Sequence, residues 1–306
     1  LIVFFLRIDI VHARSRAPAW SCYLSCFITR AKFVTTFHGI YNFSNNFKKF
    51  YNSVMVRSKL TIAGSNFVFN HINKNYGNLI TAKKKLLVIF RGINTEYFDN
   101  SNITNQKVET LNKLIGVNSE KFKILLPGRL TRWKGQEMFI EALNLLKKKY
   151  NQHNFQSIIL GSHQGRKVYY KKLISMVDKY KLNHDVFFLQ HFKDMPVVYY
   201  ISDVVVSSSI EPEAFGRISV EAQAMRRVIL ASDHGGSKET INNGKSGFLF
   251  KNNNPDSLAE NLNNLIEMEK DKLQSIGNEG RKNILRKFDV EKMCYSTFLE
   301  YKKLIK

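Results

Sequence analysis

The sequence predicts an α/β protein built from two doubly wound parallel sheets. Three observations carry this. The chain has 306 residues, and at about 150 residues per domain that suggests two domains. Short apolar runs alternate with amphipathic stretches throughout, the pattern of strands and helices in a mainly parallel sheet. The alternation lapses between Asp99 and Ser119, where Asn, Thr and Lys crowd in, and then restarts.

In the first half, Ile8–Ala13, Lys32–Thr36, Ser58–Ala63 and Leu86–Ile89 read as strands, with helices over Ala19–Thr29 and Ser65–Tyr76. Residues 1–100 are assigned to an N-terminal domain and 101–119 to a linker. Residues 120–287 form the C-terminal domain. Its strands are Phe122–Leu126, Ser157–Leu160, Val186–Leu189, Val204–Ser207, Val228–Ala231 and Gly247–Phe250. A helix is expected from near Gly135, with Phe139, Leu143 and Leu146 on one face and Lys147–Lys149 at the end that favours cations. Residues 288–306 form a last helix, apolar at Met293, Phe298, Tyr301 and Leu304.

Composition is that of a folded protein: 44% hydrophobic and 24% charged, which excludes disorder, collagen and a disulfide scaffold. Lys+Arg exceeds Asp+Glu by 47 to 25, a net charge of +22, which suits an anionic partner without choosing one. Cysteine numbers only three, Cys22, Cys26 and Cys294, consistent with a reducing compartment. No apolar run reaches the roughly 18 residues a spanning helix needs.

Four strand-to-helix loops hold the chemistry, where open parallel sheets bind ligands. Pro127–Gly135 projects Arg129 and Lys134 from a Gly-flanked turn at a helix start, able to meet a phosphate. In Ser209–Met225, Glu213 precedes a helix expected near Phe215 or Gly216, and Glu221 lies on it. Carboxylates so placed can accept sugar hydroxyls, and N–H groups at Phe215 and Gly216 can meet an anion. Ser232–Glu239 carries the glycine pair Gly235-Gly236, and Phe37-His38-Gly39 ends a strand in the first half.

In this order, these elements resemble the retaining nucleotide-sugar glycosyltransferases of family 4, which have the GT-B fold of two Rossmann-like domains facing a cleft. The matching parts are Gly128–Gly135, Glu213 and Glu221, the Asp233–Gly236 loop, Gly161, Gln164–Arg166, His191–Pro196 and the Gly244–Gly247 turn. Asp9–Trp20 is similar to the bacterial lipopolysaccharide and polysaccharide branch. The resemblance implies that Arg129 and Lys134 hold the donor diphosphate. It gives Glu213 the donor sugar, Phe215 and Gly216 backbone donors, and Glu221 the ribose. His38 would reach the sugar, and Gly128, Gly161 and His191 would line the donor. No metal or other cofactor is expected, since Arg129 and Lys134 supply the positive charge. The partners it implies are a nucleotide-sugar donor, a glycan or lipid-linked acceptor and an anionic membrane surface, but no nucleic acid. A cytoplasmic location, peripheral on the inner membrane face, follows.

Three departures stand out: Gln190 and Arg226 where this branch has Gly, and Asn94 where Asp is common. A fourth is larger. The family's first domain opens with further βα units before the strand at Ile8–Ala13, so the N-terminal sheet is expected to be incomplete. A separately encoded segment could restore it. The alternative is a non-catalytic remnant or partner subunit with the same fold. A nucleic-acid-binding protein lacks a recognition module here, and a sugar-nucleotide epimerase would not need both glutamates.

Overall fold

The structure is a computed structural model describing residues 2–82, 84–116, 118 and 120–306. It divides into two compact units, Leu1–Gly92 with Lys287–Lys306, and Ile93–Arg286.

The first unit runs α1 (Ile2–Phe5), β1 (Ile10–Ala13), α2 (Arg16–Thr29), β2 (Lys32–Phe37), α3 (Asn46–Ser53), β3 (Leu60–Ala63), α4 (Asn66–Tyr76) and β4 (Lys85–Val88). The strands pair in parallel in that same order. The register sets Ala13 beside Thr35, Phe37 beside Ala63 and Ala63 beside Val88, so Arg14 and His38 both leave the carboxyl edge. Helix starts follow side-chain caps: Asn45 accepts from Lys48 N and Ser65 from Val68 N, each satisfying one otherwise orphaned donor.

The second unit contains α5 (Asn105–Ile115), β5 (Phe122–Pro127), α6 (Gln136–Tyr150), β6 (Phe155–Leu160), α7 (Lys167–Lys179), β7 (Val186–Leu189) and α8 (Met195–Tyr200). After them come β8 (Val204–Ser207), α9 (Arg217–Ala224), β9 (Val228–Ser232), α10 (Ser237–Thr240), β10 (Phe248–Phe250), α11 (Pro255–Ile266) and α12 (Lys270–Lys287). All six strands are parallel, in the order β10-β9-β8-β5-β6-β7. Every residue of β6, β8 and β9 is buried, because helices cover both faces of the sheet; Val204–Val206 and Val228–Ala231 accordingly read as apolar runs. Ile124, Leu126, Phe139, Leu143, Ile159, Val204 and Leu230 belong to one core.

The expected linker over 101–119 is not one. Thr104 caps α5 by accepting from Lys107 N, Gly116 ends it at φ 63, and Leu111 and Ile115 are buried. The unit boundary falls at Gly92–Ile93 rather than at residue 100. Lys147, in the last turn of α6, reaches Asp185 at 2.8 Å, and Lys121 reaches the same carboxylate at 3.3 Å.

The last helix, α13 (Val290–Ile305), belongs to the first unit. Met293, Tyr301 and Leu304 pack with Val34, Leu60, Ile62 and Ile89, and Glu300 meets Lys85 at 2.7 Å. Phe298 departs from the expected apolar stripe and is half exposed.

Candidate functional site

The second sheet has its switch point between β5 and β8. Chain order runs outward from β5 through β6 to β7, and from β8 through β9 to β10. Connections therefore leave these neighbouring strands in opposite directions and open a crevice at their carboxyl ends. The loops after β5 and β8 flank it, and both carry expected site residues.

After β5 the chain passes Gly128 and Arg129, anchors on buried Leu130, and turns through Arg132–Lys134 into α6. After β8 it passes Ser208 and Ser209 to Glu213 and enters α9, whose N-cap is Gly216. The two loops are tied together: Ile210 N donates to Trp133 O at 2.8 Å, and Ser208 Oγ to Lys134 O at 3.0 Å. Lys134 Nζ then lies 2.6 Å from Glu213 Oε1, and 4.5 Å from the centre of the Trp133 ring. Ser209 Oγ also donates to Glu213 Oε1, at 2.6 Å. Glu213 Oε2 accepts no hydrogen bond from the described residues, so half of this carboxylate is uncommitted.

Two glycines allow the close packing beneath the site. A Cβ on Gly161, after β6, would stand 1.9 Å from Gly128 O, so the ends of β5 and β6 approach only because that position has no side chain. A Cβ on Gly236, after β9, would lie 2.4 Å from Phe215 Cα. With that space open, Gly236 N donates to Glu213 O at 2.7 Å, and His234 Nε2 meets Ser209 O at 2.7 Å.

Glu221 is 6% exposed on α9. Tyr199 donates its hydroxyl to Oε2 at 2.7 Å, and Arg217 its Nε to Oε1 at 2.6 Å. Burial and then the Glu221 charge hold the Tyr199 phenol well above its ordinary pKa, so it stays a donor.

The structure thus brings together Gly128, Lys134, Gly161, Glu213, Phe215 and Gly216 around the switch point, with Glu221 further along α9. Arg129 and His191 are exposed, and neither side chain is bonded to Lys134 or Glu213. His38 belongs to the first unit, directly after β2. It is half-buried, its Nδ1 has no partner among the described residues, and burial followed by Arg91 and Arg14 lowers its pKa from 6.5 to about 4. His12, with Nδ1 on the Tyr301 hydroxyl and Nε2 2.7 Å from Thr36 Oγ1, is lowered likewise to about 4. Sequence reasoning missed Tyr199, Arg217 and Ser209. Only Arg217 left a signal, its four-residue spacing from Glu221 on a helix. Arg226, where the resemblance leads one to expect Gly, adopts φ 53, a left-handed conformation that glycine takes without cost. Among the described residues, no group of three or more His, Cys, Asp or Glu side chains is placed to hold a metal, and no helix is long and apolar enough to cross a membrane.

Fold and site together define a two-unit Rossmann-like protein whose polar centre is the switch point of its second sheet. The family model for glycosyl transferases group 1 matches residues 108–283, and the model for Glycosyltransferase Family 4 matches residues 2–97. The chain belongs to the glycosyl transferases group 1 family. A glycosyltransferase structure from Rickettsia africae is 38% identical over 100% of this chain and 79% of that one, with a TM-score of 0.91. The Anabaena protein HepE, solved in complex with UDP and glucose, shares the fold at 24% identity and a TM-score of 0.85, over 96% of this chain and 78% of HepE. The capsular polysaccharide biosynthesis glycosyltransferase CapM of Staphylococcus aureus is 28% identical over 73% of this chain and 58% of CapM. Both units have the arrangement of GT-B glycosyltransferases.

Proposed function

We propose that this protein transfers a hexose from a nucleotide-diphosphate donor to a glycan or lipid-linked acceptor with retention of configuration. Its setting would be the synthesis of lipopolysaccharide or another surface polysaccharide. The observation that carries the reading is the meeting of Lys134 and Glu213 at the switch point, with Glu213 Oε2 uncommitted. A cation there suits the diphosphate, and the open carboxylate oxygen suits the donor-sugar hydroxyls. Glu221 takes the ribose. Names of relatives add support: HepE is solved with UDP and glucose, and CapM is a capsular polysaccharide enzyme.

In this reaction the acceptor hydroxyl oxygen bonds to the anomeric carbon from the face the leaving group departs. As the bond to the β-phosphate oxygen breaks, that oxygen takes the acceptor proton. Lys134 and Arg129 stabilise the developing diphosphate charge. They supply what a metal ion would, so turnover should withstand EDTA. His38 is neutral at physiological pH, because its pKa is about 4, so its imidazole suits a hydroxyl rather than an anion. The +22 net charge and the exposed Phe27 and Ile28 of α2 favour peripheral attachment to the anionic inner face of a membrane, lost from acidic vesicles in high salt.

The test is a panel of UDP-, GDP- and ADP-hexoses with the purified chain. It reads hydrolysis or transfer, and the anomeric configuration of the product by NMR. Wild-type turnover that Glu213→Gln abolishes is expected. No turnover with any donor, or an unaffected variant, would refute the reading.

A further inference from the structure

The Glu221 carboxylate is held from both ends. Tyr199 is completely buried and donates to Oε2; Arg217 donates through Nε to Oε1. A carboxylate has about four lone-pair positions, two on each oxygen. Two are occupied, one per oxygen, which leaves one per oxygen. A pair of acceptors on adjacent oxygens of one rigid carboxylate matches a pair of hydroxyls on adjacent carbons. The two clamps differ in strength. Tyr199 is locked: its ring is wholly enclosed and packs edge-on near Phe98, with centroids 6.1 Å apart. Arg217 has a side chain 72% exposed, and an ion pair so placed orients weakly.

Resting on the nucleotide-sugar reading above, we infer that Tyr199 is the positioning residue that presents Glu221 to the vicinal 2′- and 3′-hydroxyls of the donor ribose. Through it the protein selects ribonucleotide over 2′-deoxyribonucleotide donors. Tyr199 touches no substrate itself. Without its hydroxyl, the carboxylate can rotate toward Arg217 alone, and the two acceptor positions no longer face the diol together. The contribution lost is one hydroxyl contact of two, so selectivity falls while diphosphate binding persists.

The experiment titrates the purified chain calorimetrically with UDP, GDP and ADP and with the 2′-deoxy form of each, and with inorganic pyrophosphate. Wild type should bind the best ribonucleotide on the order of tenfold tighter than its deoxy form, as expected for a hydrogen bond to a charged group. Tyr199→Phe, which keeps the ring and its packing, should cut that ratio to below about threefold and leave pyrophosphate affinity unchanged. A Tyr199→Phe protein that melts cooperatively and keeps the full ratio overturns the inference, as does a wild type that binds ribo and deoxy forms equally. If Tyr199→Phe does not fold, Glu221→Gln must abolish the ratio, and its retention there overturns the inference too. Failure of all three wild-type ribonucleotides to bind is a different result, and removes the nucleotide-sugar reading itself.

Discussion

Lys134 and Glu213, 79 positions apart in sequence, meet at 2.6 Å between Nζ and Oε1. Their side chains are only 13% and 11% exposed. The pair joins the loops on either side of the switch point, and each charge offsets the other. A diphosphate bound as proposed would offer Lys134 a second, more highly charged partner, and transfer of the ammonium to it would free one acceptor position on Glu213 Oε1, which keeps the Ser209 hydroxyl. Binding and the arming of the carboxylate would then be one event.

Lys134→Ala should therefore lower kcat with the best donor by on the order of 100-fold or more. Lys147 is not a fair control, since it is tied to Asp185. Lys148→Ala, at an exposed position on the same helix as Lys147, should leave kcat within twofold. Equal kinetics for the Lys134 and Lys148 variants would remove Lys134 from the chemistry.

Gly161→Ala should destabilise the second unit by at least about 2 kcal/mol. The added methyl carbon would fall 1.9 Å from a backbone oxygen, Gly128 O, and neither strand end can yield without moving the β5 loop. Thermal melting reads the loss. A midpoint within a degree of wild type would mean that the strand ends part more easily than their packing implies.

Stability should fall as pH drops from about 6.5 towards 4. His12 and His38 have folded-state pKa values of about 4, lowered from 6.5. Above 6.5 both are neutral whether folded or unfolded, so they add no slope. Between 6.5 and 4 the unfolded chain binds protons that the folded chain refuses, which favours unfolding. Chemical denaturation at pH 7.5 and pH 5 should show a smaller difference for the His12→Asn, His38→Asn double variant than for wild type. An identical difference would place neither histidine in a shifted environment.

Arg281→Ala should cost about 3 kcal/mol. Its guanidinium donates to the Phe98 and Ala224 carbonyls and pairs with Asp99, all three in the second unit. Removing it strands the Phe98 and Ala224 carbonyls, takes from Asp99 its shortest ion pair, and loosens the end of the helix that bears Glu221. Lys282→Ala is the control: Lys282 pairs with Glu279 on the surface, at 73% and 52% exposure, and should change stability by less than about 0.5 kcal/mol. Urea melts of the two variants that coincide would contradict the buried role.

Much of this was legible one residue at a time. Val186–Leu189 and Val204–Ser207 are strands with the bounds read from the sequence; for Val204–Val206 the reason is that a central strand covered on both faces buries its side chains on both. Loop glycines, and the cations and carboxylates beside them, were legible because a tight strand-to-helix turn restricts which residues fit. α5 escaped because only Leu111 and Ile115 of its eleven residues are buried; its stripe is too thin to rise above the Asn and Lys around it. The sequence by itself determined which segments are strands, which loops bear charge, and that Glu213 and Glu221 share a loop and its helix. Only the tertiary structure decided that β8 lies beside β5, that Lys134 and Glu213 therefore meet, and that Tyr199 reaches Glu221 from 22 positions away. Strand order and side-chain pairing arise from contacts between residues distant in the chain, and local periodicity carries no record of them.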